Sequence, residues 1–189
     1  QNYTAQANYI VANGGTLTVQ KIAGSVTVQD GGTLTTPNTG YLEVFGGAVL
    51  TLNKTSVING TNGIRLCGTL ACNDTTLGFS VYPASAASDN NVDPIIKGTL
   101  SFNADYKGIQ CSDATVTIAE GSTVTLNGKS FVGIYGGTYA KSGETPTAAK
   151  LNLNGTLKVQ RTEQGGVGVN QYGSIVLGAN GVLDMSSPS

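Results

Sequence analysis

The stretch GGTLTVQKIAGSVTVQDGGTLTT, residues 14–36, decides the fold. Within it one pattern returns as GTLTV (15–19), GSVTV (24–28) and GTLTT (32–36): a small residue, Thr or Ser, an apolar residue, a polar one, and a second apolar one. Alternating apolar residues with β-branched neighbours, bounded by Gly or Asn, specify a short strand with one buried side. Outward from this stretch the pattern continues as AVLTL (48–52), GTLAC (68–72), GTLSF (98–102), ATVTI (114–118) and STVTL (122–126). It goes on as KLNLN (150–154), GTLKV (155–159), GSIVL (173–177) and GVLDM (181–185). Gly and β-branched residues are too frequent for a helix to persist anywhere.

The spacing then selects an architecture. Strands begin every ~8 to 10 residues, and groups of three return with a period of about 21 to 23 residues where no insertion intervenes. An all-β, right-handed parallel β-helix (β-solenoid) of about six three-strand coils with two loop insertions is the expected fold. A β-sandwich of antiparallel hairpins would use the same Gly/Asn corners but leaves the three-strand period unexplained. In a solenoid each strand pairs with its equivalents above and below at about 4.8 Å. Strand parity places Leu17, Val19, Val26, Val28, Leu50, Leu52, Val116, Ile118, Val124, Leu126, Leu151 and Leu153 inside, with the intervening Thr and Ser facing water.

Residues 1–189 read as a single β-helix domain, expected to be a fragment of a longer surface protein because the last strand meets no capping helix. Residues 1–14 are the expected N-terminal cap, with Tyr9, Ile10 and Val11 covering the first coil. Two segments break the period, 80–94 (SVYPASAASDNNVDP) and 136–149 (GGTYAKSGETPTAA). They read as loops projecting from different corners.

The composition of the 189 residues narrows function. Charged residues make up 11% and the net charge is −1, so a nucleic-acid partner is not expected. No apolar run approaches the length of a membrane span, so membrane insertion of this segment is not expected either. The chain has no His, which removes Ser-His-Asp triads, Cys-His pairs and His-ligated metals. Of the three cysteines, parity turns Cys72 and Cys111 inward and Cys67 outward, so free thiols are the expectation and a Cys67–Cys72 link the alternative. The acids are scattered, Arg65 and Arg161 are the only arginines, and no catalytic set is expected.

Three groups of residues remain as candidates. Tyr82, Tyr106, Tyr135, Tyr139 and Tyr172 lie on or near the loops, where amphipathic, stiff rings suit sugars or a protein partner. The same residues could equally cover coil corners, and Tyr135 and Tyr172 are expected to stack at one corner. Asp89, Asn91 and Asp93 form D-x-N-x-D, an alternation of oxygens that suits Ca²⁺. Pro94 takes the position where an EF-hand-type loop has Gly and no Glu closes the loop, so a polar loop with Asx turns is the competing reading, and no other cofactor is expected. The pairs Thr16/Thr18, Thr33/Thr35, Thr115/Thr117 and Thr123/Thr125 would make an ice-binding ladder only if aligned, and the coil register is expected to separate them.

The GTLTV and STVTL strands with NGT or GGT corners, over nearly the whole chain, resemble the right-handed β-helix stalks of bacterial surface adhesins, autotransporter passenger domains among them. The resemblance implies an extracellular, cell-surface, non-enzymatic module that attaches to a host-surface glycan or protein receptor. It transfers no functional residue. A structural stalk that self-associates is the second expectation, and a polysaccharide-active β-helix enzyme the third.

Overall fold

A computed structural model describes residues 3–37, 40–83, 92–161 and 166–186, except for the side chain of Arg161. Every regular element among them is a strand, and every pairing is parallel. The first repeat unit is β1 (Thr4–Ala5), β2 (Asn8–Val11) and β3 (Thr16–Thr18). The second is β4 (Lys21–Ile22), β5 (Ser25–Val28) and β6 (Thr33–Thr35), and the third is β7 (Tyr41–Val44), β8 (Val49–Asn53) and β9 (Val57–Asn59). The fourth and fifth contain two strands each: β10 (Gly63–Leu66) and β11 (Thr69–Leu77), then β12 (Ser80–Pro83) and β13 (Ile95–Phe102). The sixth is β14 (Lys107–Ser112), β15 (Thr115–Ile118) and β16 (Thr123–Gly128). The seventh is β17 (Phe131–Tyr135), β18 (Ala149–Leu153) and β19 (Thr156–Arg161), and the eighth is β20 (Val167–Val169), β21 (Gly173–Leu177) and β22 (Val182–Asp184).

The first strand of each unit joins an eight-stranded sheet, β1-β4-β7-β10-β12-β14-β17-β20. The second strands run β2-β5-β8-β11-β13-β15-β18-β21 in a larger, eleven-stranded sheet. Third strands divide. β3, β6 and β9 form their own small sheet, whereas β16, β19 and β22 extend from the second half of β13. Looped corners precede the third strands at both ends of the stack, at 12–15, 29–32 and 54–56 in units one to three and at 119–122, 154–155 and 178–181 in units six to eight. β11 and β13 run straight through theirs. β11 does so over a register shift after Cys72, with Asp74 at φ 56, and β13 over Gly98 at φ 87, directly opposite Cys72. A residue with a β-carbon adopts that conformation only at a cost, which is why Gly stands there.

The result is a β-solenoid-like stack with eight units rather than about six. Two units escape the five-residue pattern because their first strands are short or hidden. Thr4–Ala5 precedes the first motif, and Ser80–Pro83 sits inside what reads as the 80–94 loop. Residues 80–83 of that segment are therefore strand, and 84–91 lie outside the described residues. Residues 1–14 supply β1 and β2, in which Tyr9 shares the inward side of Val26 while Ile10 points out beside Thr27, 71% exposed.

Inside, parity holds. Val26, Leu50, Leu70, Ile96, Ile118, Leu153 and Leu177 follow one another in register, and all but Leu177 on the last strand are buried. Each such aliphatic side chain contributes about 1.5–3 kcal/mol by leaving water, so the stack is held chiefly by its interior. None of the three cysteines is joined in a disulfide, and all three are buried. Cys67 departs from the outward expectation: it sits at the corner just after β10, where parity no longer governs direction, and is 2% exposed. Burial pushes the Cys72 thiol up to about 12 and the Cys111 thiol up to about 11.

The threonine pairs align more than expected. Thr16/Thr18 stand directly below Thr33/Thr35. Thr99, Thr123 and Thr156 form a row, as do Ser101 and Thr125. Thr115/Thr117 sit beside Lys150/Asn152, so no single face carries a continuous ladder.

Candidate functional site

The outward side of the eight-stranded sheet differs in kind from the threonine-bearing faces. One register row carries Lys21, Glu43, Arg65 and Tyr82 across β4, β7, β10 and β12. The pairing of Val81 with Ile109 continues it toward Gln110, Gly133 and Gly168. A second row carries Tyr41, Gly63 and Ser80. Period-two alternation turns all of these away from Leu42, Val44, Ile64, Leu66 and Val81, which are fully buried.

Two clusters form on this face. In the first, the Tyr41 and Tyr82 rings meet edge to face, 5.2 Å apart at 82°. The Arg65 guanidinium lies 4.5 Å from the Tyr41 ring centre, and Lys21 Nζ 5.7 Å from that of Phe45. Gly63 leaves the space the Tyr82 ring occupies: a β-carbon there would come within 2.8 Å of that ring. Glu43 lies between Lys21 at 3.9 Å and Arg65 at 3.8 Å, too far for a hydrogen bond to either. Its Oε2 is a buried acceptor with no hydrogen-bond donor, and so is Oε1 of Gln20, whose Nε2 donates to the Tyr41 carbonyl. Both oxygens are closed off from solvent, so they are unsatisfied acceptors inside the cluster and not on its surface.

In the second cluster, Lys107 is the hub. Its Nζ donates to Gln110 Oε1 at 2.7 Å and stands 4.9 Å from the Tyr106 ring centre, 5.5 Å from Tyr135 and 5.9 Å from Phe131. Tyr106 and Phe131 also pack edge to face at 5.2 Å. Tyr135 folds back over Gly133 and reaches Gly168, where a β-carbon would meet its hydroxyl at 3.1 Å. Contacts of an ammonium with aromatic faces contribute roughly 0.5–2 kcal/mol each, enough to fix a side chain that would otherwise sample many rotamers.

Three of the five sequence-nominated tyrosines, Tyr82, Tyr106 and Tyr135, are thus on one face. The other two are elsewhere. Tyr139 is 71% exposed in the 136–148 loop, and its backbone N–H donates to Asp113 Oδ2 at 2.8 Å. Tyr172 does not stack on Tyr135. Asn170, which follows the Val169–Ile134 pair, stands opposite Tyr135, and Tyr172 covers Gly136 and Gly137 at the loop root. Asp93 is exposed and its N–H donates to the Cys67 carbonyl, while Asp89 and Asn91 lie outside the described residues.

The two insertions leave from the same corner, not different ones. One runs from β12 to β13 and the other from β17 to β18, so both connect the eight-stranded to the eleven-stranded sheet, two units apart. Asp113, on the same corner of the unit between them, takes the Thr138 and Tyr139 amides of the second insertion.

Sequence reasoning missed Tyr41, Gln20, Lys107 and Phe131 as members of this face. The signal was the unrecognised strand at 80–83: once Tyr82 is set in register with Arg65 and Glu43, the row becomes visible. Comparison with protein-family models, with curated proteins and with solved structures finds no match for this chain.

Proposed function

We propose that this chain is an extracellular, cell-surface adhesin-type module, a right-handed parallel β-helix of bacterial type that binds a host glycan on the outward face of its eight-stranded sheet. The observation that carries the reading is the clustering of Tyr41, Tyr82, Tyr106, Phe131 and Tyr135 with Lys21, Arg65 and Lys107 on one sheet face. Tyrosine faces receive the apolar side of a sugar ring, and their hydroxyls can exchange hydrogen bonds with its hydroxyls. The face lies on a continuous parallel sheet, which suits an extended chain running along the stack. Right-handed winding follows the usual chirality of crossovers between parallel strands.

A glycan-array screen of the purified chain, with and without Ca²⁺, tests the proposal. A glycan retained by the native chain and weakened by both Tyr82→Ala and Tyr135→Ala supports it. A blank array, or a hit untouched by either substitution, overturns it. Calcium dependence of a hit would bear separately on Asp89, Asn91 and Asp93.

One observation favours a second reading, a self-associating stalk. The outward threonine rows Thr16–Thr33, Thr18–Thr35 and Thr99–Thr123–Thr156 present matched hydroxyls that can pair between identical copies through many weak hydrogen bonds. Sedimentation across a range of concentrations decides it: monomer throughout removes self-association.

A further inference from the structure

Between β9 and the second half of β11 the stack is open. β9 ends the three-stranded sheet β3-β6-β9, and β8 pairs with β11 only over Thr69–Asn73. From Thr75 to Leu77, β11 pairs as a strand only with β13 among the described residues, and on the other side the Thr75 hydroxyl donates to the Leu52 carbonyl at 2.9 Å, leaving the gap beside Thr76 and Leu77. The gap is a cavity of about 340 Å³ lined by Leu52, Val57, Ile58, Thr76, Leu77 and Phe79 among others.

Ladder parity fixes where the backbone groups of both walls point. The Val57 N–H donates to the Gly32 carbonyl and the Asn59 carbonyl accepts from Thr36, so Val57 and Asn59 face β6. In a parallel ladder the intervening residue faces the other way. Ile58 therefore turns its N–H and C=O into the gap. On the opposite wall the Leu77 carbonyl accepts from Asn103 N–H, so Thr75 and Leu77 face β13 and Thr76 turns its N–H and C=O into the same gap.

We propose that this gap is a slot for one extended peptide strand from a partner polypeptide, pairing with Ile58 on one side and Thr76 on the other. The occupant's chemistry follows from the walls. Its amides complete two interrupted ladders, the mode of β-strand addition. Its inward side chains are apolar, to meet Leu52, Leu77 and the partly buried Phe79. Its outward ones are polar, to lie between exposed Thr76 and half-exposed Val57. This site is independent of the aromatic face, which lies on a different sheet.

The test uses the whole chain, ¹⁵N-labelled, and a library of acetylated, amidated heptapeptides alternating apolar and polar residues. The expected result is saturable binding by members of the library, with the Ile58 and Thr76 amides shifting and exchanging at least roughly tenfold more slowly with deuterium. The same peptides N-methylated at alternate residues should not bind, because they cannot complete both ladders. Gly78→Trp supplies the second control: a β-carbon at Gly78 meets nothing within 4 Å, so the indole can enter the gap while the fold stays intact. It should abolish binding. The proposal is overturned if no library member binds, if N-methylated peptides bind equally well, or if the Ile58 and Thr76 amides already exchange as slowly without peptide as the paired amides of Val57 and Leu77.

Discussion

The outward face of the eight-stranded sheet and that of the eleven-stranded sheet are built on the same backbone and differ in almost every side chain. On the larger sheet the rows read Ser25–Val49–Thr69, Thr27–Thr51–Ala71 and Thr99–Thr123–Thr156. These are small, β-branched side chains that suit a pleated surface and interact weakly with one another, about 0.2–1 kcal/mol per pair. On the smaller sheet, Lys21, Glu43, Arg65 and Tyr82 stand in the equivalent row, joined by Tyr41, Phe45, Tyr106, Lys107, Phe131 and Tyr135. Large rings and charges are not needed to form a parallel strand. The comparison teaches that the interior fixes the stack while the outward positions are free to carry chemistry: the aromatic rings gather with cations on the smaller sheet, whereas Lys97, Lys150 and Lys158 stand on the larger one among small side chains.

The largest expected effect tests the claim that the interior dominates. Leu50 is fully buried between Val26 and Leu70, so Leu50→Ala should cost about 2–5 kcal/mol in denaturant unfolding, whereas Thr51→Ala beside it should stay within about 0.5 kcal/mol. Equal losses would mean that outward packing matters as much as the interior.

Next in size is the alkaline limit, which compares the inner sides of the two sheets. Cys72 lies inside the larger sheet and Cys111 inside the smaller, and burial raises both thiols from 9.0, to about 12 and about 11. A raised folded pKa means that the folded chain holds the proton more tightly. Stability is therefore fully present below pH 9 and declines as pH climbs from 9 toward 11–12, because the unfolded thiols ionise first. Cys72→Ala should flatten this decline more than Cys111→Ala, as measured by unfolding free energy against pH. The reverse order would show that Cys111 is the more strongly desolvated thiol.

Binding sharpens the comparison of the faces. Tyr82→Ala and Tyr135→Ala should each weaken a bound glycan by roughly tenfold or more, with Thr27→Ala and Thr125→Ala leaving it unchanged. Titration calorimetry would measure it, and loss on the threonine face instead would move the site. A smaller change is expected from Gly133→Ala. Its new β-carbon would come 2.5 Å from the Tyr135 ring, so the ring must swing off the sheet. The near-ultraviolet dichroism of tyrosine should change and affinity fall a few-fold, with the melting temperature nearly constant. Smallest of all, Lys54→Met removes the exposed 2.7 Å pair with Asp74 and should leave stability indistinguishable from the parent in the same denaturant titration.

Much of this was legible in the sequence because strand parity is a local property. Val26, Leu50, Val116, Leu126 and Leu153 could be assigned to the interior from alternation alone, and all are buried. Glu43 and Arg65 could be set on one outward row because YLEVF and GIRLC carry the same pattern. What failed was counting. Lys21–Ile22 and Thr4–Ala5 are too short to show a period, and Ser80–Pro83 is masked by the Pro- and Ser-rich segment that follows it.

The sequence by itself determined that the chain forms short, parallel, stacked strands with an aliphatic interior, because period two and Gly/Asn corners act over a few residues at a time. Only the tertiary structure decided which outward residues meet. Tyr41 finds Tyr82, and Lys107 gathers Tyr106, Phe131 and Tyr135, through pairings between different units whose register depends on every corner between them. The gap beside Ile58 and Thr76 has the same origin: β9 and the second half of β11 belong to consecutive units yet do not pair, a relation between units that no single strand pattern contains.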